Sequence, residues 1–277
     1  MAVVVVTDSS SRLQPEDLER YGIRQVPLYV LLDGKTFRDG VDEVPPDVYQ
    51  RHATTSGATP AELAAAYREA LKDSDGDGVV AVHISAALSS TYSSAVSAAR
   101  EFGPAVRVVN SRSAAMGVGF VAMAATQHAA SGADLNAVEA AARSAIPRGH
   151  AFIVVHRLDN LRRSGRIRRG ASLMGSALSL KPLLCLDVDG RLVLGQRIRT
   201  ATKAHAAMID QVAEVVGEHP ATIVVHHVDN PDAADDIAKA LTVRLPQIAP
   251  PAVTDMGAVL AVHVGDGAVG VCVEVDE

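Results

Sequence analysis

Along this chain, short apolar runs rich in β-branched residues alternate with Ala-rich stretches of helical character. The apolar runs are Val3–Val6, Val26–Leu32, Val79–Ile84, Val106–Val109, Phe152–Val155, Leu183–Leu186, Ile223–Val225, Val259–Val264 and Val269–Val273. Between them, Pro60–Leu71, Ser93–Glu101, Val118–Ala130, Leu135–Ala145, Ala204–Val216 and Ala233–Arg244 read as helices. Strands alternating with helices indicate α/β architecture, and near-continuous apolar strands indicate sheets covered on both faces.

The later part reads differently. CLDVDGRLVLGQRIRT is a hairpin signal, with Asp189-Gly190 between two apolar runs. The last two apolar runs are read as strands joined by Gly265-Asp266-Gly267, too short for a crossover helix, so they are expected to be antiparallel or separated. The pattern therefore predicts two domains. A mainly parallel three-layer α/β/α domain over 1–148 carries the hydroxyl clusters described below, and a mixed-sheet two-layer α/β domain over 149–277 follows it. The boundary falls near Pro147-Arg148-Gly149.

Composition narrows the function. Hydrophobic residues make up 48% of 277 and charged residues 21%, which is globular rather than disordered. The formal charge is 26 − 32 = −6, there is no Trp, and Phe and Tyr number four and five. That argues against nucleic-acid binding, which wants a basic face and stacking aromatics. Cys185 and Cys272 each sit inside an apolar stretch. They are read as buried thiols of a cytosolic protein, with a disulfide left open by arithmetic alone. No apolar run approaches the ~20 residues of a membrane span, and MAVVVVTDSSSRL reads as a strand rather than a secretion signal, so a cytoplasmic protein is expected.

Several familiar patterns fail on context. Asp73-Ser-Asp75-Gly-Asp77-Gly78 starts like a calcium loop, but its twelfth position is Ile84 where a bidentate Glu belongs. Gly265-x-Gly267-x-x-Gly270 matches a dinucleotide fingerprint in letters, yet a strand follows it instead of a helix. Gly117-x-Gly119-x-x-Ala122 opens a helix too far from its strand. The histidines, including His226-His227, lack metal-ligand spacing.

What survives is a set of apolar strands that end in small hydroxyls. Thr7-Asp8-Ser9-Ser10 follows the first strand, and Thr54-Thr55-Ser56 precedes the helix opened by Pro60. Ser85 to Ser94 follows the third strand, and Asn110-Ser111 the fourth. Ligands of parallel α/β sheets sit outside the carboxyl ends of the strands, and hydroxyls with helix N-terminal N–H groups suit a carboxylate or phosphate. Each cluster alone reads as a helix cap. Together they suggest an anion-binding rim.

Seven segments in order resemble the DegV family of bacterial lipid-binding proteins, the fatty-acid-binding subunits of a fatty acid kinase. They are TDSSSRL, TTSGATPAEL, ISAALSSTYSSA, VVNSRSAAMGVG, LDNLRRSGRI, LSLKPLL and AVHVGDGAVGV, and they span essentially the whole chain. Departures from the family pattern include Gly57, Ala58, Ala86, Ser90, Asn110, Ser164, Val264 and Asp266. The resemblance implies that Thr55, Ser89 and His263, with Ser56 alongside, hold an acyl carboxylate. Ser85, Thr91, Asp8, Ser9 and Gly265 would support them. It also implies a bound long-chain fatty acid, no cofactor, and an ATP-binding kinase subunit that turns the carboxylate into an acyl phosphate for lipid synthesis. Arg166 and Arg199 match positions expected to dock that kinase, Arg166 within the basic run Arg162–Arg169. Leu28, Met116, Phe120, Ile153, Leu173, Met174, Leu178 and Leu180 are candidates for the tail lining. Two other readings stay open at this point: a serine hydrolase of acyl esters using Ser89 and His263, and a carrier of another amphiphilic anion.

Overall fold

The computed structural model describes residues 2–167 and 180–276. In chain order the first part runs β1 (Val4–Asp8), α1 (Pro15–Tyr21), β2 (Arg24–Val26), β3 (Tyr29–Leu32), β4 (Lys35–Arg38), β5 (Thr54–Ser56) and α2 (Pro60–Asp73). It continues through β6 (Val79–His83), α3 (Thr91–Ala99), β7 (Val106–Asn110), α4 (Met116–Ala130) and α5 (Leu135–Ala145). The second part holds β8 (Gly149–Val154), α6 (Asp159–Ser164), β9 (Leu183–Leu186), β10 (Leu192–Gln196) and α7 (Ala201–Val216). It ends with β11 (Ala221–His227), α8 (Pro231–Arg244), β12 (Ala252–Asp255), α9 (Ala258–Val264) and β13 (Val269–Val275).

Among the described residues three sheets form. The first has the order β2-β1-β6-β7 with every pair parallel. Its central strand β6 is buried at every position, because both faces are covered. Val80 and Val82 pack with α4 and α5 on one side, while Val79 and Ala81 pack with α2 and α3 on the other. The second sheet, β10-β9-β8-β13-β11-β12, is antiparallel except for β11 with β12. One of its faces packs on α7 and α8 through Met208, Val212, Ile237 and Leu241. A small antiparallel sheet, β4-β3-β5, packs against α9 through Leu28, Val30, Val259 and Val262. The fold is thus α/β, with a parallel three-layer part followed by a mixed two-layer part, as the pattern predicted. The hairpin at Asp189-Gly190 also forms, joining β9 and β10, with Gly190 at φ 74°.

Two segments differ from expectation. Val26–Leu32 is not one strand: β2 ends at Val26, Pro27 follows, and β3 begins at Tyr29 in another sheet. Proline cannot donate to a strand ladder, so it separates the two. Val259–Val264 is helical and forms most of α9. Short apolar runs do not reveal their period, and here Gly257 and Gly265, both at φ 81°, cut the run to seven helical residues. The last two apolar runs therefore do not pair with each other, and β13 pairs with β8 and β11.

Candidate functional site

A cavity of about 420 Å³ lies between the two parts of the chain. Its floor is the inner face of the mixed sheet. Ala151 stands opposite Cys272, Ile153 opposite Gly270, and Gly270 opposite His226, and all five line the cavity. Strand side chains alternate between faces, so the neighbours Phe152, Val154, Val271 and Val225 point to the helical side and fill the core there. Large residues face the helices, whereas the inward positions include the small Ala151, Gly270 and Cys272 beside Ile153 and His226. That alternation leaves the space. Leu28, Leu161, Leu186, Leu192, Met256, Val259 and Leu260 complete an apolar wall.

One end of the cavity is polar. Thr55 on β5 and His263 in the last turn of α9 share a hydrogen bond, Oγ1 to Nε2, of 2.7 Å. His263 Nδ1 is buried and has no partner among the described residues. Burial, and secondarily the Arg166 charge, push the His263 pKa down to about 4, so the imidazole is neutral at pH 7. Ser56, Ser89, Ser90 and Ser94 line the same end. Ser89 Oγ accepts from Thr91 N–H at 3.2 Å and shares a 2.9 Å bond with Thr91 Oγ1. Gly57 packs directly on Thr91, where a Cβ would lie 2.5 Å from Thr91 Oγ1, so the absence of a side chain at 57 has a steric reason. Ser89, Ser90 and Arg166 also line a shallow outer groove, so this end opens to the surface.

Arg166, expected on a docking surface, lines both the cavity and the outer groove. Its half-buried guanidinium donates from Nε to Leu88 O (3.1 Å) and from Nη1 to Ser164 O (2.6 Å). Arg199 is exposed just before α7 and does not line the cavity. Arg168, Arg169, Leu173, Met174 and Leu178 lie outside the described residues.

The supporting residues stand behind the wall rather than on it. Asp8 is fully buried and accepts from Ile84 N–H (3.0 Å) and from the Ser10 N–H (3.1 Å) and hydroxyl. It also meets His83 Nδ1 at 3.0 Å, and His83 Nε2 in turn meets Tyr67 OH at 2.9 Å. Ser9 Oγ accepts from Leu28 N–H at 3.0 Å and so fixes a lining residue. Ser85 donates to Gly190 O at 2.8 Å, tying the β9–β10 hairpin to the parallel part. Gly265 closes α9, its N–H bonded to Ala261 O. Of the tail candidates, Leu28 and Ile153 line the cavity, whereas Leu180 does not. Met116 and Phe120 also do not, because α4 packs behind Ala115 and Cys272. Met116 N–H instead bonds His226 Nε2 at 3.3 Å across the two parts. Cys185 and Cys272 are free thiols. Ala151, Gly270 and Cys272 were not read as cavity lining from sequence, although Gly270 and Cys272 at alternate positions of VGVCV were a readable signal.

Neutral donors at the open end of an apolar slot suit an amphiphile with an anionic head, since a buried carboxylate needs hydrogen-bond donors. The ester-hydrolase arrangement is not formed. A triad needs Ser89 on one imidazole nitrogen and a carboxylate on the other, whereas Nε2 meets Thr55 and Nδ1 has no partner among the described residues.

The buried imidazoles make stability depend on pH. Burial lowers His226 to about 3 and His263 to about 4, below the ordinary 6.5. The unfolded chain therefore binds more protons than the folded one below pH 6.5, and stability falls as pH drops towards 4. Each histidine is expected to cost about 2 kcal/mol at pH 5. Asp39 and Glu274, raised chiefly by burial, act in the opposite sense. Urea unfolding of the ligand-free protein should show a loss of roughly 2–4 kcal/mol between pH 7 and 5. A flat profile would mean these rings are hydrated.

An α/β chain of two parts enclosing an apolar slot with a hydroxyl and imidazole head is the class that the geometry defines. The family model described as "Uncharacterised protein, DegV family" matches residues 2–276, and the chain belongs to that family. A DegV domain-containing protein of Mycobacterium tuberculosis is 61% identical over 275 residues, covering 99% of this chain and 98% of its own. Among solved structures, a fatty-acid-binding DegV family protein from Thermus thermophilus superposes with a TM-score of 0.92 at 32% identity over 100% of both chains. DegV of Bacillus subtilis, described as a fatty acid binding protein, does so at 0.89 and 27% identity, again over 100% of both chains. No helix among the described residues is long and apolar enough to cross a membrane.

Proposed function

We propose that this chain binds one long-chain fatty acid, with the tail in the apolar cavity and the carboxylate among Thr55, Ser89 and His263. The observation that carries the reading is the Thr55–His263 pair at the open end of a cavity floored by Ala151, Ile153, Gly270 and Cys272. The fatty-acid-binding neighbours from Thermus thermophilus and Bacillus subtilis support it. Neutral hydroxyls and a neutral imidazole would hold the anion, with the Arg166 guanidinium lining the same cavity. Each buried methylene contributes about 0.8 kcal/mol, so a sixteen-carbon tail supplies on the order of 10 kcal/mol before the costs of binding.

The second part of the proposal is that the bound acid is presented to a separate ATP-dependent kinase in the cytoplasm. A carboxylate oxygen would attack the γ-phosphorus of ATP, ADP would leave, and the acyl phosphate would remain on this chain. Arg166, which lines the cavity, would meet the negative charge that develops there, and the exposed Arg199 would be available to a partner.

Denaturing extraction of the purified protein followed by lipid mass spectrometry is the test. After incubation with palmitate, about one free fatty acid per chain is expected, and a fluorophosphonate should leave Ser89 unlabelled. An empty extract contradicts the reading. Stoichiometric labelling that disappears in Ser89→Ala would replace it with the hydrolase.

A further inference from the structure

The helix that carries His263 is too short to hold itself in place. Its seven residues, Ala258–Val264, make barely two turns, and the N–H groups of its first turn have no partner within the helix. Gly257 and Gly265, both at φ 81°, flank it with backbone that side chains do not constrain. The His263 end meets Thr55. The other end meets Asp39, 220 positions away in sequence.

Asp39 follows β4 and is 3% exposed. Its Oδ1 accepts from Val259 N–H at 3.4 Å, and the neighbouring Ala258 N–H and Ser9 also favour its charged form. Its own N–H donates to Leu28 O at 2.8 Å, which fastens it to a residue of the cavity wall. Arg12 completes the cap. Its charge acts on Asp39, its Nε donates to Asp255 O at 3.2 Å, and its guanidinium lies against Gly257, where a Cβ would be 2.6 Å from Nη1. A carboxylate at a helix N-terminus complements the dipole and satisfies N–H groups that would otherwise be buried unpaired. Asp39 does not line the cavity.

We propose that Asp39 is a positioning residue for the head-group site: by capping α9 from the small sheet, it fixes the helix that sets His263 against Thr55. This rests on the reading that the site holds a carboxylate. A slip of the helix by about 1 Å would carry the Thr55–His263 contact out of the usual hydrogen-bond range.

The experiment titrates the wild-type protein and Asp39→Asn with palmitate and with hexadecanol, which has the same chain without the carboxylate. Asparagine keeps the shape and removes the charge. Palmitate affinity should fall at least about tenfold while hexadecanol affinity holds within about twofold, and the His263 ring ¹⁵N shifts of the ligand-free variant should move. Equal losses for both ligands, or no loss, would overturn the proposal, because a purely structural role does not distinguish the two heads. Should Asp39→Asn fail to fold, Arg12→Gln loosens the same cap from the other side and must give the same selective loss. A wild-type protein that does not take palmitate contradicts the fatty-acid reading alone, and the ligand-free His263 shifts then still decide the role of Asp39.

Discussion

Replacing His263 by alanine is expected to weaken fatty-acid binding by about ten- to a hundredfold, with little change in the affinity for the corresponding methyl ester. A hydrogen bond to a charged group contributes about 1.5–3 kcal/mol, which is the size of that loss. The ring also holds Thr55 at 2.7 Å, so its removal releases the second donor as well. Burial, with the Arg166 charge, pushes the His263 pKa down to about 4, so between pH 6 and 8 the bond is made by a neutral imidazole, and affinity should change little across that range. Calorimetric titration of palmitate into wild type and variant checks both statements. A loss under about threefold would remove His263 from the head-group site.

The second large effect concerns the tail. Ala151 faces the cavity beside Cys272, and β8 runs from it towards α6 and Arg166, so it lies deeper than Ile153. Ala151→Phe puts a ring where the end of a long chain would lie. If four methylenes are displaced, about 3 kcal/mol is lost, which is roughly a hundred- to two-hundredfold for palmitate. Octanoate should bind nearly as it does to the wild type, because its tail stops short. The ratio of the two affinities is the readout. Equal weakening of both acids would show that the substitution disturbs the sheet rather than the slot.

Much of the fold was legible because burial on two faces leaves a plain trace. VVAVH is apolar at nearly every position, and β6 is covered by helices on both sides. The Asp189-Gly190 turn was legible because Gly190 supplies the positive φ. α9 was not, since AVLAVHV carries the β-branched content of a strand and only its flanking glycines make it a short helix. His263 accordingly reads from its own surroundings in sequence as a buried strand histidine, and only the family resemblance points to a ligand role. Arg166 could not be placed from charge alone. A basic run does not show which of its arginines turns inward, and here the carbonyls of Leu88 and Ser164 hold the Arg166 guanidinium at the cavity. Asp39 left no local signal, because its partner lies at the other end of the chain. The hydroxyl clusters divide in the structure. Thr55 and Ser89 reach the cavity, while Asp8, Ser9 and Ser85 brace the loops behind it.

The central claim is that the carboxylate and the tail occupy the two ends of one cavity. A crystal structure with palmitate bound tests it most directly. The carboxylate oxygens are expected within about 2.6–3.2 Å of the Thr55 and Ser89 hydroxyls and a His263 ring nitrogen, with the chain running past Ile153 towards Ala151 and Cys272. A carboxylate more than about 4 Å from all three side chains, or a tail lying outside the cavity, would contradict it.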